Sequence, residues 1–287
     1  MRLLITNLIS FLYNIKVEYI RKRNNSYVFF YNNKFYIFKE CYLTNEYLLY
    51  INYFIDNRNF LFHTLVKNKQ NKFLSSYADK SYILMQVNIN VNRFLFINDI
   101  LELGKYNITY VKKDVFNWVN LWKNKIDQVE YFLSYNYKKI NILTLSIINY
   151  YIGLAELAIY FFINNVRTEY IPLTLCHRRI KSNFDLYEYY SVDDLVLDHF
   201  TRDIGEYIKY NIYSNKKVDF SNYNIIKTLD VNDKNLLISR LLFPSYFFDL
   251  FDEYILNDRN FDDFDKYFIY IDCYEDNLNA FISFLSK

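Results

Sequence analysis

Glycine and proline are almost absent from this sequence, with 3 Gly and 2 Pro among 287 residues. Gly104 is the first glycine, so residues 1–103 cannot form the glycine-rich loop that brings backbone N–H groups close to a phosphate. No Pro- or Gly-rich stretch marks a linker, and no internal repeat is visible. The length therefore fits one large domain, or one domain of two lobes.

Cysteine and histidine are also scarce, with 3 residues of each. The cysteines are Cys41, Cys176 and Cys273, which form no CxxC pair, and their odd number argues against a disulfide framework. We expect buried free thiols in a reducing compartment and no Cys/His zinc site. The formal net charge of +2 provides no basic field for nucleic acid, so no nucleic-acid partner is expected.

Long uncharged segments are few, and the longest lies between Lys139 and Arg167, where the only charge is Glu156. Its length would span a bilayer, but it contains several Asn, Ser and Thr residues, and a glutamate inside a membrane is costly. A buried helix of a soluble core is the better interpretation, and no transmembrane segment is expected. The N-terminal segment has no small-residue cleavage site and favours an amphipathic first helix, for which peripheral membrane contact stays open.

What the chain has in excess is aromatic and apolar residues, at 21% and 52%, a bias that fits an AT-rich genome as well as any selection. Residues 17–40 predict strands, with a hairpin turn at Asn32-Asn33. A helix is predicted over 43–55 with Thr44 as its N-cap, followed by strands at FHTLV and KSYILMQV. Further helices are predicted near 113–134, 142–165, 201–212, 232–241 and 243–256. This order predicts an α+β fold with a β-rich lobe at 1–87 and a helical lobe at 88–287.

The stretch LTLCHRRIKSNFDLYEYYSVDDLVLDHFTRDIG, residues 173–205, is the most informative about chemistry. An apolar segment leads into His177 and Arg179, Asn183 follows, and a second apolar run leads into Asp198. This order resembles the catalytic region of kinase-like phosphotransferases of the aminoglycoside and choline kinase type. In that family a His-Gly-Asp loop orients the nucleophile, while an Asn and a second Asp hold Mg²⁺ on the phosphates. The resemblance places Arg179 at the catalytic Asp, and Asn183 and Asp198 at the metal ligands.

The resemblance extends over about residues 17–255. Lys39 falls where the phosphate-anchoring Lys would lie, and Glu46 falls where its ion-pair partner would lie, so both belong to the implied nucleotide site. The segments GLAELAI, LCHRRI, RDIGEYI and LLFPSYFF are most similar to the YutH type of bacterial spore-coat kinase-like proteins, a group that includes the CotS type. Membership implies a two-lobed protein-kinase-like fold, synthesis in the cytoplasm, a place on the spore coat or forespore surface, and other spore-coat proteins as partners.

The departures from the family pattern indicate a catalytically inactive protein, a pseudokinase with no expected cofactor. Arg179 cannot act as a base, because a guanidinium stays protonated at any working pH, and loss of a general base costs roughly 10²–10⁴-fold in rate. We expect His177 to be a structural histidine. The two arginines that follow it, Arg178 and Arg179, are expected to pair with nearby carboxylates such as Asp194, Asp198 or Asp203.

Two alternatives stay open. The chain could be a residual small-molecule phosphotransferase or nucleotide-binding protein, with Lys39, Asn183 and Asp198 holding ATP and Mg²⁺ and Asp185 replacing the base. It could instead be a regulatory protein that binds an anionic metabolite through Arg178 and Arg179, since guanidinium groups bind such anions in a bidentate manner.

Overall fold

The computed structural model describes residues 2–23, 25–56, 61–89, 93–104, 117–168, 171–180, 185–213, 217–256 and 268–286. The chain divides into two compact units, which are called here the sheet unit and the helical unit. The sheet unit comprises Met1–Leu95 and Asn183–Leu195, and the helical unit comprises Phe96–Ser182 and Val196–Lys287. The predicted catalytic stretch therefore contributes residues to both units.

The sheet unit is built on antiparallel strands in the order β1-β2-β3-β6-β4, with β5 pairing to β6. Its helices are α1 (Arg2–Tyr13), α2 (Asn45–Asp56) and α6 (Leu186–Tyr189). Its strands are β1 (Ile20–Arg23), β2 (Ser26–Tyr31), β3 (Lys34–Glu40), β4 (Thr64–Leu65), β5 (Ser75–Tyr77) and β6 (Lys80–Gln86).

The predicted hairpin is confirmed: β2 pairs with β3, and Tyr31 lies opposite Lys34. The two residues between them, Asn32 and Asn33, have φ angles of 48° and 62°. Positive φ at both loop positions defines the turn that matches the twist of a two-residue hairpin, and asparagine tolerates this conformation better than most residues. The Thr44 cap is also confirmed, because its Oγ1 accepts a hydrogen bond from the Tyr47 backbone N–H at 3.2 Å.

The predicted first helix, α1, packs one apolar face on the sheet. Ile5, Leu8 and Ile9 are buried in one cluster with Phe38 and Leu84, which lie on adjacent strands of the sheet. Each fully buried aliphatic side chain contributes roughly 1.5–3 kcal/mol, so this face suffices to hold a helix of three turns to the sheet. This packing accounts for one face of α1, whereas the apolar side chains of Leu3, Leu4 and Phe11 are exposed.

The helical unit contains seven helices within the described ranges. They are α3 (Ile97–Gly104), α4 (Trp118–Asn136), α5 (Ile142–Asn165), α7 (Thr201–Tyr213), α8 (Val231–Leu242), α9 (Ser245–Leu256) and α10 (Phe268–Ser286). Five of them match predicted helices closely, and the predicted start of α4 at 113 lies outside the described residues. Helices α3 and α10 were not predicted, although the buried residues Ile271, Tyr274, Leu278 and Phe281 of α10 recur at helical spacing.

Helix α5 begins where Asn141 Oδ1 accepts a hydrogen bond from the Thr144 backbone N–H at 2.8 Å. By length and composition alone it could cross a membrane, and it is the one helix of the described residues that passes this test. One side of it is buried, including Ala155, Ala158 and Phe162. Helices α4 and α8 pack against α5, so this apolar stretch contributes to the interior of the helical unit.

Candidate functional site

Two short strands position the predicted catalytic-loop residues. β7 (Thr174–His177) pairs with β8 (Leu195–Asp198), and all four residues of β7 are buried. Thr174 Oγ1 donates a hydrogen bond to the Asp198 carbonyl at 3.3 Å, which ties the ends of the two strands together. Burial raises the pKa of the Cys176 thiol well above its usual value, so this cysteine is an inert core residue.

Asp198, the residue at the predicted metal position, is enclosed by two guanidinium groups. Its side chain is 4% exposed, Oδ2 accepts from Arg202 Nη1 at 2.9 Å, and Oδ1 pairs with Arg240 Nη2. Oδ1 also accepts from the His199 backbone N–H at 2.6 Å. Arg202 lies on α7 and Arg240 on α8, so Asp198 joins three elements of the helical unit.

His177 is buried and pairs with an aspartate of the next helix. Its Nδ1 lies 2.8 Å from Asp203 Oδ2, and its backbone N–H donates to Asp203 Oδ1 at 2.8 Å. The side chains of His177 and Asp203 are 2% and 3% exposed. Asp203 sits in the first turn of α7, so this pair anchors the start of α7 to the end of β7.

Arg179 has other partners than predicted. Its Nε donates to Asp249 Oδ2 at 2.9 Å, and its Nη1 lies 3.5 Å from Glu206 Oε2. Burial lowers the pKa of Arg179, but the carboxylates of Glu206 and Asp249 raise it more, so the group stays charged. The predicted acceptors were not available, because Arg202 and Arg240 bind Asp198 and the imidazole of His177 binds Asp203.

Arg178, the other arginine of the predicted network, is exposed. Its carbonyl accepts from Arg202 Nη2 at 3.1 Å and from Arg179 Nη1 at 3.1 Å. These hydrogen bonds of Arg178 are therefore made by its backbone carbonyl. Arg179 and Arg202 both donate to that carbonyl and so hold the loop after β7 in place.

The predicted nucleotide residues lie in the sheet unit and are not brought together. Lys39 on β3 forms an ion pair with Asp193, with Nζ 2.6 Å from Oδ2, whereas Glu46 is exposed in the first turn of α2. Asp185, the alternative base, occupies the N-cap position of α6 without a side-chain capping hydrogen bond, and it pairs with Arg23. Asn183, the second predicted metal ligand, lies outside the described residues.

The described residues do not fit a Mg²⁺ site of the kinase type. Both carboxylate oxygens of Asp198 already accept from guanidinium groups, and a divalent cation would have to displace Arg202 or Arg240. Across the described ranges, no group of three or more His, Cys, Asp or Glu side chains is placed to hold a metal ion.

Sequence reasoning missed Arg240, Lys209 and Glu206. Lys209 is 4% exposed, lies 4.0 Å from Glu206 and donates to Ser245 Oγ at 2.9 Å. Desolvation lowers the pKa of Lys209 from 10.5 to about 7, although Glu206 raises it in part. A signal for Arg240 was present, since it is the one charged residue in the apolar run LLISRLLFP, and a lone charge in such a run is buried only with a partner.

These features define a protein-kinase-like fold with an altered catalytic region. A solved aminoglycoside phosphotransferase from Alicyclobacillus acidocaldarius aligns over 96% of this chain and 94% of its own, with a TM-score of 0.66 and 12% identity. The AMP-bound spectinomycin phosphotransferase APH(9)-Ia aligns over 93% and 94%, with a TM-score of 0.57 and 15% identity. At such identities the likeness establishes the fold, which confirms the predicted two-lobed α+β class.

The sequence then places the chain in one family of that fold. The chain belongs to the family described as "Spore coat putative kinase YutH", whose model matches residues 6–268. The endospore coat-associated protein YutH of Bacillus subtilis (strain 168) is 27% identical over 198 residues, which cover 59% of this chain. The match spans 57% of the length of that relative. The predicted resemblance is thereby confirmed.

Proposed function

We propose that this chain is a non-catalytic kinase-fold protein of the spore coat, which acts by binding other coat proteins. The observation that carries the proposal is the enclosure of Asp198 between Arg202 and Arg240. A kinase of this fold uses the corresponding carboxylate to hold Mg²⁺ on the phosphates of ATP. Here the same carboxylate neutralises two arginines in the interior of the helical unit.

Arg179 supports the same proposal. Phosphoryl transfer needs a carboxylate to accept or orient the proton of the nucleophile, and a guanidinium cannot do so. Removing a general base lowers a rate by roughly 10²–10⁴-fold, and poor positioning of the phosphates adds to that loss. Arg179 is also held in place by Asp249 and Glu206, so its position is built into the fold.

The coat role rests on family membership and on the coat association of the Bacillus subtilis relative. A fold does not determine a function, so the location and the partners require their own test. We expect a fluorescent fusion of this chain, produced in sporulating Bacillus subtilis, to collect at the forespore surface and to remain on the purified spore. A fusion that stays dispersed in the mother cell would contradict the proposed location.

Catalytic inactivity is tested by thermal unfolding with and without millimolar ATP and Mg²⁺. A ligand at 100 times its dissociation constant adds about 2.7 kcal/mol, a shift of a few degrees for a chain of this size. We expect no shift, while the Alicyclobacillus acidocaldarius phosphotransferase serves as the control for a functional kinase fold. A shift that requires Mg²⁺ and is absent from the Asp198→Asn variant would support the alternative of a residual phosphotransferase.

A further inference from the structure

The helical unit contains a half-open cavity next to the charged cluster. Its volume is about 300 Å³, and its walls come from α4, α7, α8, the start of α9 and the loop after β7. Ligand pockets in proteins run from roughly 300 to 1,000 Å³, so this one suits a small molecule. The cavity lies wholly within the helical unit and does not depend on the predicted nucleotide residues.

The charges around the cavity do not balance. Its lining contains five cationic side chains, which are Lys125, Arg179, Arg202, Lys209 and Arg240. The carboxylates that form ion pairs with them number four, and these are Asp198, Glu206, Asp249 and Asp252. With Lys209 protonated, the described residues leave one positive charge in excess in a partly desolvated site, where an anion interacts more strongly than in water.

Two buried polar atoms in the lining also lack hydrogen bonds. Arg240 is 8% exposed, and its Nε has no acceptor among the described residues. Glu206 is 6% exposed, and its Oε2 accepts no hydrogen bond from the described residues, although Arg179 Nη1 forms an ion pair with it at 3.5 Å. Leaving such a group unsatisfied costs free energy, so a native structure usually provides a partner. A ligand with both an acceptor and a donor would satisfy the two atoms together.

The other part of the lining is aromatic. Trp122 stacks on Phe243 with ring centroids 4.7 Å apart, and Phe243 stacks on Phe248 at 5.1 Å. These three rings line the same cavity as the cations. Because Phe243 has a stacked ring on each face, it can offer only its edge to a ligand, and an aromatic body packs well against such an edge in an edge-to-face arrangement.

We propose that this cavity binds a small organic carboxylate with a flat apolar body and a hydroxyl group. The carboxylate faces Arg240 and Lys209, the hydroxyl donates to Glu206, and the flat body packs against the edges of the stacked Trp122 and Phe243 rings. This site goes beyond the proposed coat function and does not rest on it. It requires neither ATP nor Mg²⁺.

Four small molecules serve as probes in a calorimetric titration of the full chain, one with all the proposed features and three that each lack one of them. 4-Hydroxybenzoate has every feature, benzoate lacks the hydroxyl, 4-hydroxybenzyl alcohol lacks the charge, and inorganic phosphate lacks the ring. We expect 4-hydroxybenzoate to bind most tightly and the uncharged alcohol at least tenfold more weakly, because one charge-assisted hydrogen bond is worth about that factor. Equal binding of the alcohol, or binding by none of the carboxylates, would overturn the proposal.

Two substitutions with opposite expected effects separate binding from misfolding. At pH 6, Lys209→Met should weaken binding of 4-hydroxybenzoate roughly tenfold, since it removes a cation from the lining. Glu206→Gln should strengthen binding of benzoate severalfold, since it removes a negative charge. Lys123→Met is the matched control, because Lys123 is exposed on α4 and absent from the lining. Weakening by both Lys209→Met and Glu206→Gln would refute the assigned site.

The affinity of the unmodified chain for benzoate should also fall as the pH rises through about 7. Benzoate stays ionised across this range, while Lys209, whose pKa desolvation lowers to about 7, loses its proton. Each element that lines the cavity contributes a charged or polar group near Lys209. These groups are Glu206 and Arg202 on α7, Arg240 on α8, Arg179 after β7, Ser245 and Asp249 on α9, and Lys125 on α4. An affinity that is constant from pH 6 to pH 8.5 would contradict a role for Lys209.

Discussion

Replacing Lys209 by methionine should make the protein more stable at pH 6. Desolvation, assisted by the three arginines, lowers the pKa of Lys209 from 10.5 to about 7, and Glu206 offsets this only in part. At 1.36 kcal/mol per pKa unit, holding the ammonium group in the interior costs about 5 kcal/mol. Methionine keeps most of the side-chain volume, and the lost hydrogen bond to Ser245 costs about 1 kcal/mol. The variant should therefore gain about 3–4 kcal/mol at pH 6.

The stability gain of the Lys209→Met variant should decrease as the pH rises. Below pH 7 Lys209 is protonated in both the folded and the unfolded state, so the full cost is present. Between pH 7 and 10.5 the unfolded state binds more protons than the folded state, and the free energy of unfolding of the unmodified protein rises with pH. The advantage of the variant should thus shrink by about 3 kcal/mol between pH 6 and pH 9.

Urea unfolding followed by tryptophan fluorescence measures this difference. Both tryptophans, Trp118 and Trp122, lie on α4, so the signal reports unfolding of the helical unit. The exposed Lys123→Met variant on the same helix controls for the loss of a surface charge. A variant that is less stable than the unmodified protein at pH 6, or an advantage that does not change with pH, would refute the reasoning.

Three further predictions concern stability. Gly153→Ala should stabilise α5 by about 1 kcal/mol, because the added Cβ would meet nothing within 4 Å. Gly104→Ala should destabilise the protein by about 1–3 kcal/mol, because the added Cβ would lie 2.9 Å from Phe200 Cβ. Opposite shifts of the thermal midpoint check this pair, and shifts of the same sign would contradict it. Burial lowers the pKa of His63 to about 4. The free energy of unfolding should therefore fall by about 3 kcal/mol from pH 6.5 to pH 4, because the unfolded state takes up a proton in this range. Unfolding followed by far-UV circular dichroism should show no such fall for His63→Gln. Asp198→Asn should destabilise by about 3–5 kcal/mol, since it leaves buried guanidinium groups without a counter-charge, and an unchanged urea midpoint would count against this.

Much of the fold could be predicted because its signals are local. The Asn32-Asn33 turn, the Thr44 cap and the bounds of α5 each follow from residues within a few positions of one another. Helices α3 and α10 escaped prediction, although for α10 the signal was present in the sequence, because Ile271, Tyr274, Leu278 and Phe281 recur at helical spacing and are buried.

The partners at the candidate site could be predicted only in part. The Asp198–Arg202 pair has the i,i+4 spacing of a helix start and was within reach of the sequence. The Asp198–Arg240 pair joins residues 42 positions apart, and it depends on how α8 packs against α7. Lys39 likewise pairs with Asp193, far along the chain, and not with Glu46 on the next helix. Such pairs are set by the tertiary fold, which a single sequence does not reveal.

The turns built without glycine affect the unfolded chain as well as the folded one. Every described residue with positive φ is Asn, Ala or Asp, and none is glycine. A residue with a Cβ samples fewer conformations when unfolded, which saves about 0.4–1 kcal/mol of entropy per position relative to glycine. Asparagine tolerates positive φ with little strain, so the Asn32-Asn33 turn keeps most of this saving. Ala78, at φ 47° in the β5–β6 turn, has no polar side chain to ease that conformation, and the strain of the sheet unit is concentrated there.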